Sequence, residues 1–163
     1  MGTRGLYGFH KNGIDKLTYN HLDSYPDWLG KKIVEFCMEH DLAVYADGWY
    51  WTLRPNQGCP ENWLPFIDSG SKVYMIDNSS FIKDSLFCEY AYIVNLDTDQ
   101  LEFYCGFQHK PDETNRYGCE ENRGYYPCRM VACFPLDVIA HGTVEEIVKQ
   151  MMNRADHQDD EEA

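Results

Sequence analysis

Residues 88–105 constrain the fold more than any other stretch of the chain. Cys88, Tyr90, Tyr92, Ile93, Val94 and Leu96 lead into Asp97, Thr98, Asp99 and Gln100, after which Leu101, Phe103, Tyr104 and Cys105 follow. Aromatic and β-branched side chains fit a pleated surface, and a short Asp-rich break between two such runs closes a hairpin. An antiparallel pairing of 88–96 with 101–107 is therefore expected. A second hairpin is expected near the start. There, 3–10 and 14–20 flank Lys11, Asn12 and Gly13, and Asn-Gly readily adopts the positive φ of a tight turn.

Helix signals lie outside these hairpins. Pro26 suits a first helical turn, and Ser24 with Asp27 has the spacing of a capping box, so a helix is predicted over 26–40 with Leu29, Ile33, Phe36 and Cys37 on its buried face. Thr143 with Glu146 opens a final helix over 143–154 that buries Val144, Ile147, Val148 and Met151. Between them, 42–51 reads as a short strand, 54–60 as loop, 61–69 as a helical turn and 129–136 as a strand, while 72–86 fits no single pattern. The polar stretch 110–127 reads as a long loop of the kind that is often functional. Hairpins without a βαβ rhythm define an α+β class: an antiparallel sheet packed with an N-terminal and a C-terminal helix in a layered sandwich. With 163 residues, the expectation is one domain over 1–155 and a disordered acidic tail over 156–163.

Charge narrows the partners. There are 14 basic against 27 acidic residues, a formal net of −13, and phosphate polymers are bound by clustered cations, so DNA and RNA are not expected as partners. Apolar runs fall far short of the roughly 20 residues that cross a bilayer, so no membrane association is expected. The seven cysteines are odd in number, and no apolar leader precedes them, so they read as reduced thiols in a cytoplasmic setting. Cys105, His109, Cys119 and Cys128 are the one zinc-like set, but their spacing lacks the tight pairs of a structural site. Neither a metal nor a cofactor is expected. Self-association is left open by the composition.

The densest polar constellation is Asn20, His21, Asp23, Ser24 and Tyr25, where a strand end meets a helix start. Helix N-terminal amides attract anions, and His21, Asn20 and Tyr25 would add donors, with Arg4 nearby as a cation. The plainer interpretation is that Asp23 and Ser24 cap the helix while Asn20 and His21 satisfy turn backbone. Elsewhere, Cys37 with His40 has the i, i+3 spacing of a thiolate pair, although Cys37 falls on the apolar face. No serine-nucleophile elbow or phosphate-binding glycine loop is present.

The segments MGTRG, YNHLDSYPDWLG and CEYAYIVNLDTDQLEFYCG resemble a group of small bacterial, phage and fungal proteins. The opening also resembles the first strand of an N-terminal nucleophile hydrolase. That class uses a processed Cys, Ser or Thr as nucleophile and its own amine as base, whereas removal of Met1 here would expose Gly2 and leave Thr3 one residue inside. The phage members of the group imply sequestration of a nucleotide-derived immune signal. The reading from the residues is a non-enzymatic protein that binds a small anionic or nucleotide-like ligand through Arg4, Asn20, His21, Asp23, Ser24 and Tyr25, with aromatic walls. Two alternatives stand beside it: a hydrolase using Thr3 or His21, and an acidic inhibitor that binds another protein.

Overall fold

The computed structural model describes residues 2–39, 42, 49–52, 73–76 and 78–158. The fold is α+β. Its main sheet has five strands in the order β2-β1-β5-β6-β7, where β1 is Gly5–Lys11, β2 Ile14–Asn20, β5 Tyr90–Asn95, β6 Gln100–Cys105 and β7 Arg129–Pro135. Two short parallel strands, β3 (Trp49–Thr52) and β4 (Val73–Ile76), form a second sheet.

Both expected hairpins form. In the first, Asn12 and Gly13 take φ of 55° and 73°, and β1 pairs antiparallel with β2 from Gly5↔Asn20 to Lys11↔Ile14. In the second, β5 pairs with β6, and Asn95↔Gln100 moves the turn one residue earlier than the sequence pattern placed it. The reason is an Asx turn. The Asn95 side-chain oxygen accepts from the amides of Asp97 and Thr98, while Asp99 turns the chain at a φ of 56°. The two hairpins join through a parallel pairing of β1 with β5, which makes the sheet mixed. Local turn chemistry carries no record of that long-range junction.

The first helix differs in detail from its expected span. It opens as a π-helical turn, Pro26–Gly30, and continues as α1, Lys31–Glu39, instead of running unbroken over 26–40. The capping box does not form. Tyr25 occupies the cap position without a side-chain bond, because Ser24 is fully buried, where its amide donates to the Thr3 carbonyl and its hydroxyl oxygen accepts from Asn20 Nδ2. Leu29, Ile33 and Phe36 are buried as expected and Val34 joins them, while Cys37 is half-buried. A short helix α2, Leu136–His141, was not anticipated. The last helix, α3 (Val144–Asp156), begins at Thr143, whose hydroxyl accepts from the Glu146 amide; Ile147, Val148 and Met151 are buried and Val144 is partly so.

In the middle of the chain, Leu42 is helical and not part of a strand; of the strand expected over 42–51 the described residues show Trp49–Thr52, and 43–48 lie outside the described residues. The segment 72–86 resolves into β4 and a 3-10 turn, Ser79–Lys83. The helical turn expected over 61–69, the loop over 54–60 and the end of the acidic tail lie outside the described residues.

The sheet separates two apolar layers. Tyr7, Phe9, Tyr92, Val94, Leu101 and Phe103 point toward α1, α2 and α3 and meet Ile33, Phe36, Ile139, Ile147 and Met151. The alternate residues Leu6, Leu17, Ala91, Ile93 and Tyr104 face the other way and pack on Ile82, Cys88 and Cys128. Period-two alternation with both faces buried is what makes β1, β5 and β6 apolar almost throughout. Among the described residues no helix is long and apolar enough to cross a membrane.

The described thiols divide by depth. Burial pushes Cys37 up to about 12 and raises Cys88 and Cys105 as well, whereas Cys119 and Cys133 are exposed. A disulfide-forming aromatic reagent added to the native protein is therefore expected to label Cys119 and Cys133 rapidly and the half-buried Cys37 slowly, with Cys88, Cys105 and Cys128 reacting only on unfolding. Mass mapping of the labelled peptides checks this. Rapid labelling of Cys88 would contradict the buried layer.

Candidate functional site

The predicted constellation is divided by the fold. Asn20, His21 and Asp23 line a recess of about 220 Å³ together with Leu22, Trp28, Leu29 and Lys32. The recess lies where the end of β2 meets the π-helical turn and the first residues of α1. Asp23 reverses the chain at a φ of 57°, a conformation that Asp tolerates, and its carbonyl accepts from the Leu29 amide at 3.2 Å. Asn20 braces the corner through Nδ2, which donates to the Leu22 carbonyl at 2.6 Å and to Ser24 Oγ at 2.8 Å. Its amide nitrogen is thus a structural donor. His21 Nδ1 is bonded to the Tyr19 hydroxyl at 2.7 Å. When the phenol donates that bond, Nε2 carries the ring proton and is the donor available to a ligand.

The remaining predicted residues sit elsewhere. Ser24 lies beneath the recess, and its carbonyl accepts from the buried Tyr92 hydroxyl at 2.8 Å. Tyr25 packs near Tyr90, with ring centroids 5.8 Å apart. Arg4 lies with its guanidinium 5.6 Å from the Phe87 ring centroid. The helix amides that motivated an anion site are largely engaged: Trp28 and Gly30 donate to the Tyr25 carbonyl at 3.0 and 3.3 Å. Two recess residues outside the predicted constellation carry chemistry: Lys32 supplies a cation, and Trp28 presents an indole that is 56% exposed. The signal for Lys32 was its i+4 spacing from Trp28 on one helix face.

A second polar concentration went unread in the sequence. Glu102, only 4% exposed, accepts two bonds from Arg116, at 3.0 Å from Nη1 and 2.8 Å from Nη2, one from Asn95 Nδ2 at 3.1 Å and one from the Tyr104 hydroxyl at 3.0 Å. Arg116 Nη2 also reaches the Tyr117 hydroxyl at 3.0 Å, and that hydroxyl donates to Asp15 Oδ1 at 3.2 Å. Asp15 in turn bonds His10 Nδ1 at 2.7 Å, and His10 Nε2 lies 3.4 Å from Asp97 Oδ2. Burial raises the Glu102 carboxyl, but the bonds from Arg116, Asn95 and Tyr104 outweigh it and hold the group below its ordinary value. Asp97 is also lowered, chiefly by the amides of Gly13 and Asn12. Every carboxylate in this network has a partner, so its chemistry is that of a clamp. It fastens 115–117 of the long loop to the sheet.

Thr3, the hydroxyl of the hydrolase alternative, is buried. Of the zinc-like set, Cys105 and Cys128 are buried and Cys119 is exposed, with its thiol on the Asp112 carbonyl; among the described residues no three His, Cys, Asp or Glu side chains are grouped to hold a metal. The chain has no match among protein-family models, curated proteins or solved structures.

Proposed function

We propose that the protein binds a small anionic, ring-bearing ligand of the nucleotide type without transforming it, and that the recess at the end of β2 is the seat of that ligand. The observation that carries this reading is the grouping of His21, Lys32 and an exposed Trp28 around one concavity. An indole face offers stacking to any planar ring, while an ammonium and an imidazole N–H suit a phosphate or carboxylate. Size restricts the ligand. Sites that enclose a drug-sized molecule span roughly 300–1,000 Å³, so a recess of about 220 Å³ suits one ring with one anionic group in preference to a dinucleotide. Asp23 on the rim disfavours higher charge. Catalysis is not part of this reading, because no nucleophile, base and orienting group are linked within the recess.

Calorimetric titration with adenosine monophosphate and with inorganic phosphate tests it. His21→Ala, Lys32→Ala and Trp28→Ala are each expected to weaken monophosphate binding by about 1–3 kcal/mol, whereas Arg4→Ala should leave it unchanged. Chromatography of the recovered nucleotide should return it intact. Equal affinity in all three recess variants would remove the site. Turnover of the nucleotide would move the protein to the hydrolase class.

A further inference from the structure

We infer that a second surface, built by Arg4, Phe87, Phe107, Arg123 and Tyr125, is a docking site for an acidic, aromatic-bearing segment of a partner protein. Four chain segments create it, and backbone bonds lock them together. Phe107 N donates to the Ser85 carbonyl at 2.7 Å, Tyr126 N to the Gln108 carbonyl at 2.9 Å, and Glu89 N to the Arg4 carbonyl at 3.0 Å. The surface is therefore organised before any partner arrives, which lowers the entropy lost on binding.

Phe107 is the anomaly that draws attention to it. Its φ is +56°, a left-handed conformation that bulky side chains rarely adopt, and its ring is 49% exposed. A phenyl group that strains the backbone and stays half in water contributes little to the folded monomer. Arg123 has the same positive φ of 56°. Strained side chains held outward concentrate at sites of binding.

Charge specifies the partner. The guanidiniums of Arg4 and Arg123 lie 5.6 and 5.4 Å from the centroid of the same exposed ring, Phe87. Among the described residues neither forms an ion pair, although the chain carries 27 acidic side chains against 14 basic ones. A guanidinium stacked on a ring keeps its in-plane N–H donors for carboxylates. Tyr125, whose ring centroid is 6.4 Å from that of Phe107, completes a set of arginines and aromatics of the kind enriched at the centres of protein interfaces. A nucleic acid is disfavoured because the net charge of −13 repels a polyanion over its whole length, whereas a short acidic segment meets only the local groups, two guanidiniums against the Glu89 carboxylate that accepts from the Arg4 backbone amide at 3.3 Å.

The test uses the full chain, isotopically labelled, and a pentapeptide with two glutamates on each side of a phenylalanine, capped at both ends. Amide shifts should cluster at residues 4, 87, 107, 123 and 125, and the affinity should fall as salt is raised. Replacing the glutamates by glutamines should abolish the shifts, and Arg4→Gln with Arg123→Gln should weaken binding at least tenfold. Phe107→Gly separates binding from folding. Glycine accepts the positive φ without strain, so this variant should melt no lower than the wild type while losing at least tenfold in affinity. Several results would overturn the inference: shifts confined to other residues, equal binding of the glutamine peptide, tighter binding of an oligonucleotide to this surface, or a lower melting point in Phe107→Gly. A wild-type dimer in sedimentation equilibrium that dissociates in Phe107→Gly would also overturn it, by making a second copy of the chain the occupant.

Discussion

Arg116→Ala is expected to destabilise the protein by about 3 kcal/mol, at the lower end of the range for breaking a buried ion pair because water can reach the vacated side. The loss comes less from the pair itself than from Glu102, which is only 4% exposed in the wild type and loses both of its bonds from the guanidinium. Urea unfolding at neutral pH should show a lower midpoint with an unchanged slope. Glu102→Gln in the Arg116→Ala background should restore part of the loss, since an amide is cheaper to leave buried than a carboxylate. The pH dependence carries a sign that distinguishes the two proteins. In the wild type the Glu102 carboxyl lies below its ordinary 4.5, so its contribution is present above that pH and is lost as the pH falls through the depressed value. In Arg116→Ala the burial that raises this group is opposed only by Asn95 and Tyr104, and the stability lost on acidification through this range should shrink. A variant within about 1 kcal/mol of the wild type would class the pair with ordinary surface ion pairs and remove the clamp.

That clamp illustrates what the sequence conceals. The strands carrying His10, Asp15, Asn95 and Glu102 were legible from turn chemistry and alternation, and the paired positions His10↔Asp15 and Ile93↔Glu102 follow from the hairpin registers. Glu102 itself held a usable signal, a carboxylate alternating with apolar residues in a strand whose both faces are buried. Its partner Arg116 lies in a loop without periodicity, and nothing local announces that a loop residue fourteen positions on will neutralise it. The parallel β1–β5 junction was illegible for the same reason: each hairpin specifies its own register, while the contact between hairpins depends on packing across the whole sheet.

At the recess the difficulty was one of direction. Asn20, His21 and Asp23 line one recess because they are sequential at a chain reversal, and sequence proximity survives folding there. Arg4 was grouped with them for the same reason, yet its side chain reaches Phe87. Ser24 had the composition of a cap but is drawn inward by the Thr3 carbonyl and the Asn20 amide, a tertiary competition that outweighs the local preference.

The centre of the sheet offers the second large effect, because Gly8→Ala is expected to cost about 3–5 kcal/mol. Gly8 lies in β1 opposite Leu17 of β2 and Ile93 of β5, with a φ of +155°. A Cβ at this position would collide with the Lys16 carbonyl oxygen and would come within 3.1 Å of Leu17 Cα. Both obstacles are backbone of the adjacent strand, so no rotamer change relieves them. Relief would require β2 to move, and β2 is held by its hairpin register and by the Asn78 amide, which donates to the Leu17 carbonyl at 3.0 Å. Overpacking of this kind costs about 1–3 kcal/mol, and forcing a side chain into a conformation reserved for glycine adds about 1–3 more. Gly13→Ala supplies the control. Gly13 has a φ of +73° but nothing within 4 Å of its would-be Cβ, so only the conformational penalty of about 1–2 kcal/mol applies. Thermal and urea unfolding of the two variants side by side should separate them by about 1–3 kcal/mol, the excess reporting the steric part. Equal destabilisation would mean that β2 yields to the methyl group, and that the close approach of the two strands is not what requires glycine in β1.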